Sequence, residues 1–420
     1  MEEKIKVLTL GDHPLAASGV GIQTRNMCEA LLNSGKFKIT SLGGAIKHES
    51  YTPMKTERYK DDWIIHPVDG YGNPDMIRSV LQAVKPDIVW FMTDPRFWGW
   101  LWGMENEIRG LAPMVYYHVW DNYPYPMYNK RFYESNDHIV TISKVTDDIV
   151  RTVAPSVPCT YLPHAVDPTV FKKLPESEFD ASRFKQDHGI DPGKMVFFWN
   201  SRNARRKQSG SLLFWFKDFL DEVGHDKAIL LMHTNTKDPN GQDLDAIIRK
   251  LDLEEGQVLF SRDSIPPEQM SLIYNMADCT VCVSDAEGFG LSTLESLACG
   301  TPIITTMTGG PQEQVTDGTN WFGIGLEPAS KAIIGSQEVP YIYEDRLSGD
   351  DVRDALLRMY KMTPQERATM GAMGLEHIEK NYNFKDFSSK WVNLMTDIHK
   401  ENGSWSTRTG YEAWTLAEVA

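Results

Sequence analysis

Short apolar runs alternate with longer amphipathic stretches along almost the whole chain. Compact apolar runs bounded by turn residues read as buried strands, and apolar positions recurring every three or four residues read as helices. In the first part, Ile5–Leu10, Lys36–Ser41, Asp87–Met92, Met114–His118 and His138–Ile142 are predicted strands. Gly19–Leu32 is a predicted helix, with Val20, Met27, Ala30 and Leu31 at helical spacing. Ser143 is read as the cap of a helix through Val150. The stretches between these strands are read as helical.

Residues 155–194 break the rhythm. Pro155, Pro158, Pro163, Pro168, Pro175 and Pro192 fall there among many charges, as in an interdomain linker. The alternation then restarts, with predicted strands at Val196–Asn200, Ala228–His233, Val258–Phe260, Cys279–Val283 and Pro302–Thr306. Leu212–Val223, Leu244–Leu251, Gln269–Met276 and Leu291–Ala298 are predicted helices, and 348–400 reads as helical throughout. Strand–helix alternation implies parallel sheets covered on both faces. Two such blocks predict an α/β chain of two parallel αβα domains, with a cleft facing the C-terminal ends of their strands.

Composition narrows the picture. The chain has 420 residues, 41% hydrophobic and 24% charged, the make-up of an ordinary globular protein. Apolar runs such as Ile88–Met92 fall far short of the ~18 residues of a membrane span. The start, MEEKIKVLTL, lacks the basic-then-apolar order of a signal peptide, so the expected compartment is the cytoplasm. The net charge is −15. Residues 1–170 hold 17 basic and 20 acidic side chains, and the rest hold 26 and 38. Neither part has the basic surface of a general nucleic-acid binder. Cys28, Cys159, Cys279, Cys282 and Cys299 are too scattered for a disulfide framework. Cys279 and Cys282 have CxxC spacing but no second pair, and are expected to be buried thiols.

Three loops carry candidate chemistry. After the first strand, Ser18, Gly19 and Gly21 open a helix whose N-terminus favours an anion. It is not a GxGxxG fingerprint, since position 24 is Thr. After Val196–Asn200 come Arg202, Arg205, Arg206 and Lys207, cations suited to a diphosphate. The segment Asp285–Ile304 sets Glu287 at a strand end, Gly288 and Gly290 in a loop, and Glu295 about one turn into the next helix. Loop amides at that helix tip can meet phosphate or hydroxyl oxygens, and each carboxylate can accept neighbouring hydroxyls.

Glu287 and Glu295, with the glycines between them, match the E-x7-E motif of retaining GT-B glycosyltransferases and most closely resemble glycosyltransferase family 4. Ser18–Gly21 resembles that family's N-terminal glycine loop, and Leu162–Asp167 its linker motif. Arg202 and Lys207 have its Arg-x4-Lys spacing, while Gly309–Glu313 and Asp317–Asn320 resemble its GG-x-x-E and DG-x-N segments. Ala165 departs from the usual Gly, which bears on hinge geometry in the linker. The resemblance implies two Rossmann-like domains, an acceptor-side domain at 1–168 and a nucleotide-sugar domain at 169–384. A C-terminal helix and tail, 385–420, would cross back to the first.

Carried over position by position, the resemblance implies that Arg202 and Lys207 grip the donor diphosphate and that Glu295 holds the ribose. Glu287 holds the donor sugar with Gly288, Phe289, Gly290 and Leu291. Gly19 and Gly21 approach the phosphates from the other domain. His118 stands near the transferred sugar, and with Glu287 it forms the implied catalytic pair. The substrate would be a nucleotide-diphosphate sugar, UDP- or GDP-linked, handled without cofactor or metal. Asp243 and Asp245 form the chain's DxD spacing and are read as helix capping instead. Trp120, Asp121 and Tyr123 are candidate acceptor residues within an aromatic-rich stretch, 90–133, half of which is expected to be core. Glycans or small molecules are the favoured acceptors. A hydroxylated DNA base, a nucleotide-sugar epimerase and a non-enzymatic binder of the donor are the alternatives.

Overall fold

The computed structural model describes residues 3–415. Met1, Glu2 and the last part of the expected tail, 416–420, lie outside the described residues. Among the described residues, sixteen strands form three sheets. They are β1 Ile5–Asp12, β2 Phe37–Gly44, β3 Met54–Lys55, β4 Trp63–Pro67, β5 Ile88–Met92, β6 Met114–His118, β7 His138–Thr141 and β8 Cys159–Tyr161. The second half holds β9 Met195–Asn200, β10 Ala228–His233, β11 Val258–Ser261, β12 Cys279–Cys282, β13 Ile303–Thr306, β14 Gly323–Leu326, β15 Ser330–Ile334 and β16 Ile342–Arg346.

The chain divides into two compact units. One contains Met1–His164, Gly335–Tyr341 and Lys385–Ala420, and the other Ala165–Ile334 and Ile342–Phe384. The first unit's sheet has the order β3-β4-β2-β1-β5-β6-β7-β8, parallel except for β3 against β4. Strands buried on both faces need apolar side chains pointing both ways. Ile88–Met92 supplies five consecutive ones, all buried. Trp391, on the helix Phe384–Asn402, packs edge-on against Trp90 and Tyr117 at ring distances of 6.1 and 5.0 Å. The chain beyond that helix is tied down as well. Trp405 N donates to Asp87, and the buried Arg408 guanidinium pairs with Asp137 at 3.0 Å.

The second unit's sheet is wholly parallel, in the order β11-β10-β9-β12-β13-β14. This is the doubly wound order in which strand succession reverses at one point, here between β9 and β12. Ligands of such sheets bind beyond the C-terminal strand ends at that point. Phe197, Phe216, Phe219 and Leu356 lie at the centre of one apolar layer. The antiparallel pair β15–β16 stands apart from this sheet.

Several segments differ from the expectation. The region 45–86 contains the strand β4 as well as the helix Pro74–Val84. The supposed linker contributes Cys159–Tyr161 to the first sheet and forms a short helix, Ala181–Asp187. β14 and the β15–β16 hairpin have no counterpart in the sequence reading. Glu287 does not end a strand, because β12 stops at Cys282 and Glu287 lies in the loop after it.

Candidate functional site

The switch point sets two loops side by side in the second unit. One follows β9 and carries the cations. The other follows β12 and carries the carboxylates. Arg205–Lys207 form a 3-10 turn, and Gln208 after it takes the left-handed conformation at φ 55°. Lys207 is buried, and its ammonium contacts the Glu287 carboxylate. Arg206 lies 4.0 Å from the same carboxylate and donates to the Ala286 carbonyl. Ser284 Oγ donates to Glu287 at 3.4 Å. Burial alone would raise the Glu287 pKa, but Lys207 and Arg206 outweigh it and hold the carboxyl below its usual range.

The loop 285–290 is held from behind. Gly290 has φ 84°, a conformation that costs an L-residue roughly 1–2 kcal/mol. Gln314 Nε2 donates to the Phe289 carbonyl at 2.6 Å, while Thr293 Oγ1 donates to Gln314 at 2.6 Å and contacts the Gly290 carbonyl at 2.7 Å. A Cβ on Gly310 would come within 2.5 Å of Phe289 Cα. The GG-x-x-E segment is therefore the backing plate of this loop. Leu291 begins the helix Leu291–Ala298, whose first turn holds no acidic residue to compete for its amides.

Glu295 lies on that helix, and Tyr274 OH donates to it at 2.8 Å. Asn200, at the end of β9, donates in turn to the Tyr274 oxygen at 2.9 Å. Burial pushes the Glu295 carboxyl up to about 7, with the Tyr274 hydrogen bond opposing. Arg202 is set apart from Lys207. It is exposed and forks onto Asp238 at 2.6 and 3.2 Å, and this pairing depresses Asp238 to about 2. Sequence reasoning missed Asp238, Tyr274, Asn200 and Gln314, which have no fixed spacing to the loops they brace. Asp243 caps the helix Leu244–Lys250 by accepting from Ala246 N, and Asp245 pairs with Arg262 at 2.9 Å. Cys279 and Cys282 are buried free thiols.

In the first unit, Ser18 caps the helix Gly19–Asn33, accepting from Gly21 N at 3.0 Å and donating to Asp12 at 2.5 Å. Gly21 is buried, and a Cβ there would meet the His13 and Ala16 carbonyls at 2.8 and 2.9 Å. Gly19 is exposed at the helix start. His118 ends β6 but is fully buried. Tyr116 OH donates to the Thr93 carbonyl at 2.5 Å, so its oxygen accepts from His118 Nδ1 at 3.0 Å. Nε2 then accepts from Tyr133 OH at 2.7 Å. Burial lowers the imidazole to about 3, so it is neutral. This is the geometry of a satisfied core histidine. Thr93 itself has φ 120°, an unfavourable value for a β-branched residue, at the C-terminal end of β5.

Trp120 is buried, with Nε1 donating to the Asn122 carbonyl. Asp121 and Tyr123 are half-buried, and Tyr123 OH donates to Asp148 at 2.7 Å. Trp90, Phe91, Trp98, Trp102, Tyr116, Tyr117 and Tyr133 of the aromatic stretch are likewise core, whereas Phe97 and Tyr125 are exposed.

Residues 180–332 match the family model described as "Glycosyl transferases group 1". The matched segment contains Arg202, Lys207, Glu287 and Glu295. The alpha-monoglucosyldiacylglycerol synthase of Streptococcus pneumoniae is 27% identical over 173 residues, 41% of this chain and 38% of that protein. The D-inositol 3-phosphate glycosyltransferase of Acidothermus cellulolyticus is 29% identical over 136 residues, 30% of each chain. The N-acetyl-alpha-D-glucosaminyl L-malate synthase of Bacillus anthracis is 21% identical, covering 54% of this chain and 57% of that protein. The chain thus spans between 30% and 57% of the length of these relatives.

Among solved structures, sucrose-phosphate synthase from Thermosynechococcus elongatus aligns with a TM-score of 0.75 at 14% identity, over 95% of this chain and 100% of the other. Anabaena HepE in complex with UDP and glucose aligns with a TM-score of 0.67 at 15% identity, over 93% and 99%. The fold is the GT-B one, with two Rossmann-like domains. Among the described residues, no helix is long and apolar enough to cross a membrane.

Proposed function

We propose that this chain is a retaining glycosyltransferase that moves a sugar from a nucleotide-diphosphate sugar to a hydroxyl acceptor. The carrying observation is the cationic turn Arg205–Lys207 folded against the Glu287 loop at the switch point of a doubly wound sheet. The group 1 match covers both segments, and the chain's likeness to HepE, a protein solved with UDP and glucose, supports a nucleotide-sugar donor.

The chemistry follows from charge. Cleaving a glycosyl–phosphate bond leaves negative charge on the departing diphosphate. Lys207, Arg206 and the amides at the start of Leu291–Ala298 are fixed before the reaction and stabilise that charge most in the transition state. In this reading they supply the positive charge without a metal. Arg202 turns from Asp238 to the diphosphate, Glu295 accepts the ribose hydroxyls, and Glu287 accepts those of the sugar. The acceptor attacks from the face that the diphosphate leaves, and the leaving phosphate takes the acceptor proton. His118 enters as a neutral group that fixes Tyr116 and Tyr133 in the acceptor-side domain. The glycosyltransferase and synthase names of the relatives do not favour the DNA-base or epimerase alternatives.

Calorimetric titration with UDP and GDP, followed by mass spectrometry of mixed glycan and small-molecule acceptors, tests the proposal. Saturable binding and a mass gain of one sugar are expected. Release of an isomerised sugar with no acceptor present would overturn it.

A further inference from the structure

We infer that Glu344 and Arg346, on β16, are positioning residues for the donor-binding turn. The inference rests on the glycosyltransferase reading and adds two residues that the group 1 match, which stops at 332, does not reach. Five side chains close a ring of charge-assisted hydrogen bonds. Arg205 forks onto Glu344 at 2.8 and 2.5 Å. Arg346 donates to Glu344 at 2.7 Å and to Asp285 at 2.6 Å. Gln208 donates to the same Asp285 oxygen at 2.6 Å, which returns the ring to the turn where it began. Two backbone bonds run alongside, Asp285 N to the Arg206 carbonyl at 2.8 Å and Asp345 N to the Asp285 carbonyl at 2.9 Å.

Glu344 and Asp285 are each 2% exposed, so each charge depends on these partners. Arg205 and Gln208 flank Arg206 and Lys207, and Asp285 precedes Glu287 by two residues. Closing the ring therefore fixes the separation between the cations and the carboxylate of the proposed donor site. An unbraced turn would have to be ordered by the ligand, and ordering several residues costs affinity. The hairpin supplies that order in advance.

The experiment uses the full chain and the near-isosteric Glu344→Gln and charge-conserving Arg346→Lys variants, with UDP and GDP as binding probes and the glucose-linked form of whichever binds as the donor in turnover assays. Three readouts are taken: nucleotide affinity with donor KM and kcat, amide exchange at 205–208, and thermal unfolding. Both variants are expected to exchange faster at 205–208, and to weaken the Kd and donor KM roughly tenfold while kcat stays within about threefold, as for loss of uniform binding. Adding Arg205→Ala to Glu344→Gln should weaken binding by less than the sum of the single effects. Unchanged exchange and KM, in a wild type that binds the nucleotide, would overturn this inference alone. A wild type that binds neither UDP nor GDP would overturn the donor reading and this inference with it.

Discussion

Tyr274 holds Glu295 through a 2.8 Å hydrogen bond, and Asn200 at the end of β9 holds Tyr274 in turn. This relay fixes the orientation of a carboxylate that burial has lifted to about 7. The native state therefore binds a proton that the unfolded chain, with a Glu near 4.5, has already lost. The contribution of Glu295 to stability is largest below pH 4.5 and falls as pH rises through 7. Glu295→Gln should accordingly gain stability at pH 8 relative to wild type, by about 1–3 kcal/mol. It should also lose nucleotide affinity. Chemical denaturation at pH 5 and pH 8, with UDP titrations, checks both. An equal difference at the two pH values would contradict the first, and unchanged affinity the second.

Lys207 and Glu287 form a largely buried pair. Removing the ammonium leaves Glu287 with Arg206 at 4.0 Å and Ser284 at 3.4 Å. Lys207→Ala should cost about 2–4 kcal/mol of stability, and the Lys207→Ala, Glu287→Ala double variant should cost less than the sum. Denaturant midpoints of the three variants read this directly.

The backing of the 285–290 loop gives a third expectation. A methyl on Gly310 cannot fit beside Phe289 without moving one of them. Gly310→Ala should lose about 1–3 kcal/mol and weaken donor binding, whereas Gly99→Ala, where the added carbon meets nothing within 4 Å, should leave donor binding intact. Paired thermal melts and UDP titrations separate the two.

His118, lowered to about 3, should not titrate between pH 5 and 8. Its unfolded counterpart, near 6.5, gains a proton first as pH falls, so its stabilising contribution is full above pH 6.5 and is lost toward pH 3. Imidazole resonances of wild type and a His118→Asn variant identify the signal. A midpoint above pH 5 would contradict the network with Tyr116 and Tyr133.

Much of the parallel architecture was legible because buried parallel strands leave unbroken apolar runs. Met114–His118, Ala228–His233 and the helix Leu291–Ala298 were read with the boundaries that the structure has. Cys159–Tyr161 was hidden among prolines, and Gly323–Leu326 carries too few apolar side chains to stand out. The hairpin was missed because Ser330–Ile334 is mostly exposed and its register is set by pairing with β16. At the site, the sequence showed the groups proposed to meet the donor, Lys207 and Glu287 among them. Their braces at Asp238, Tyr274, Gln314 and Glu344 come from distant segments that only folding brings close.

The most direct test of the central claim is an equilibrium titration of wild type and Arg202→Ala with UDP and GDP, beside uridine and guanosine lacking phosphates. The account predicts that wild type binds one of the diphosphates and binds the matching nucleoside far more weakly, and that Arg202→Ala loses most of that difference. Equal affinity for diphosphate and nucleoside, or an Arg202→Ala variant that binds as well as wild type, would contradict it.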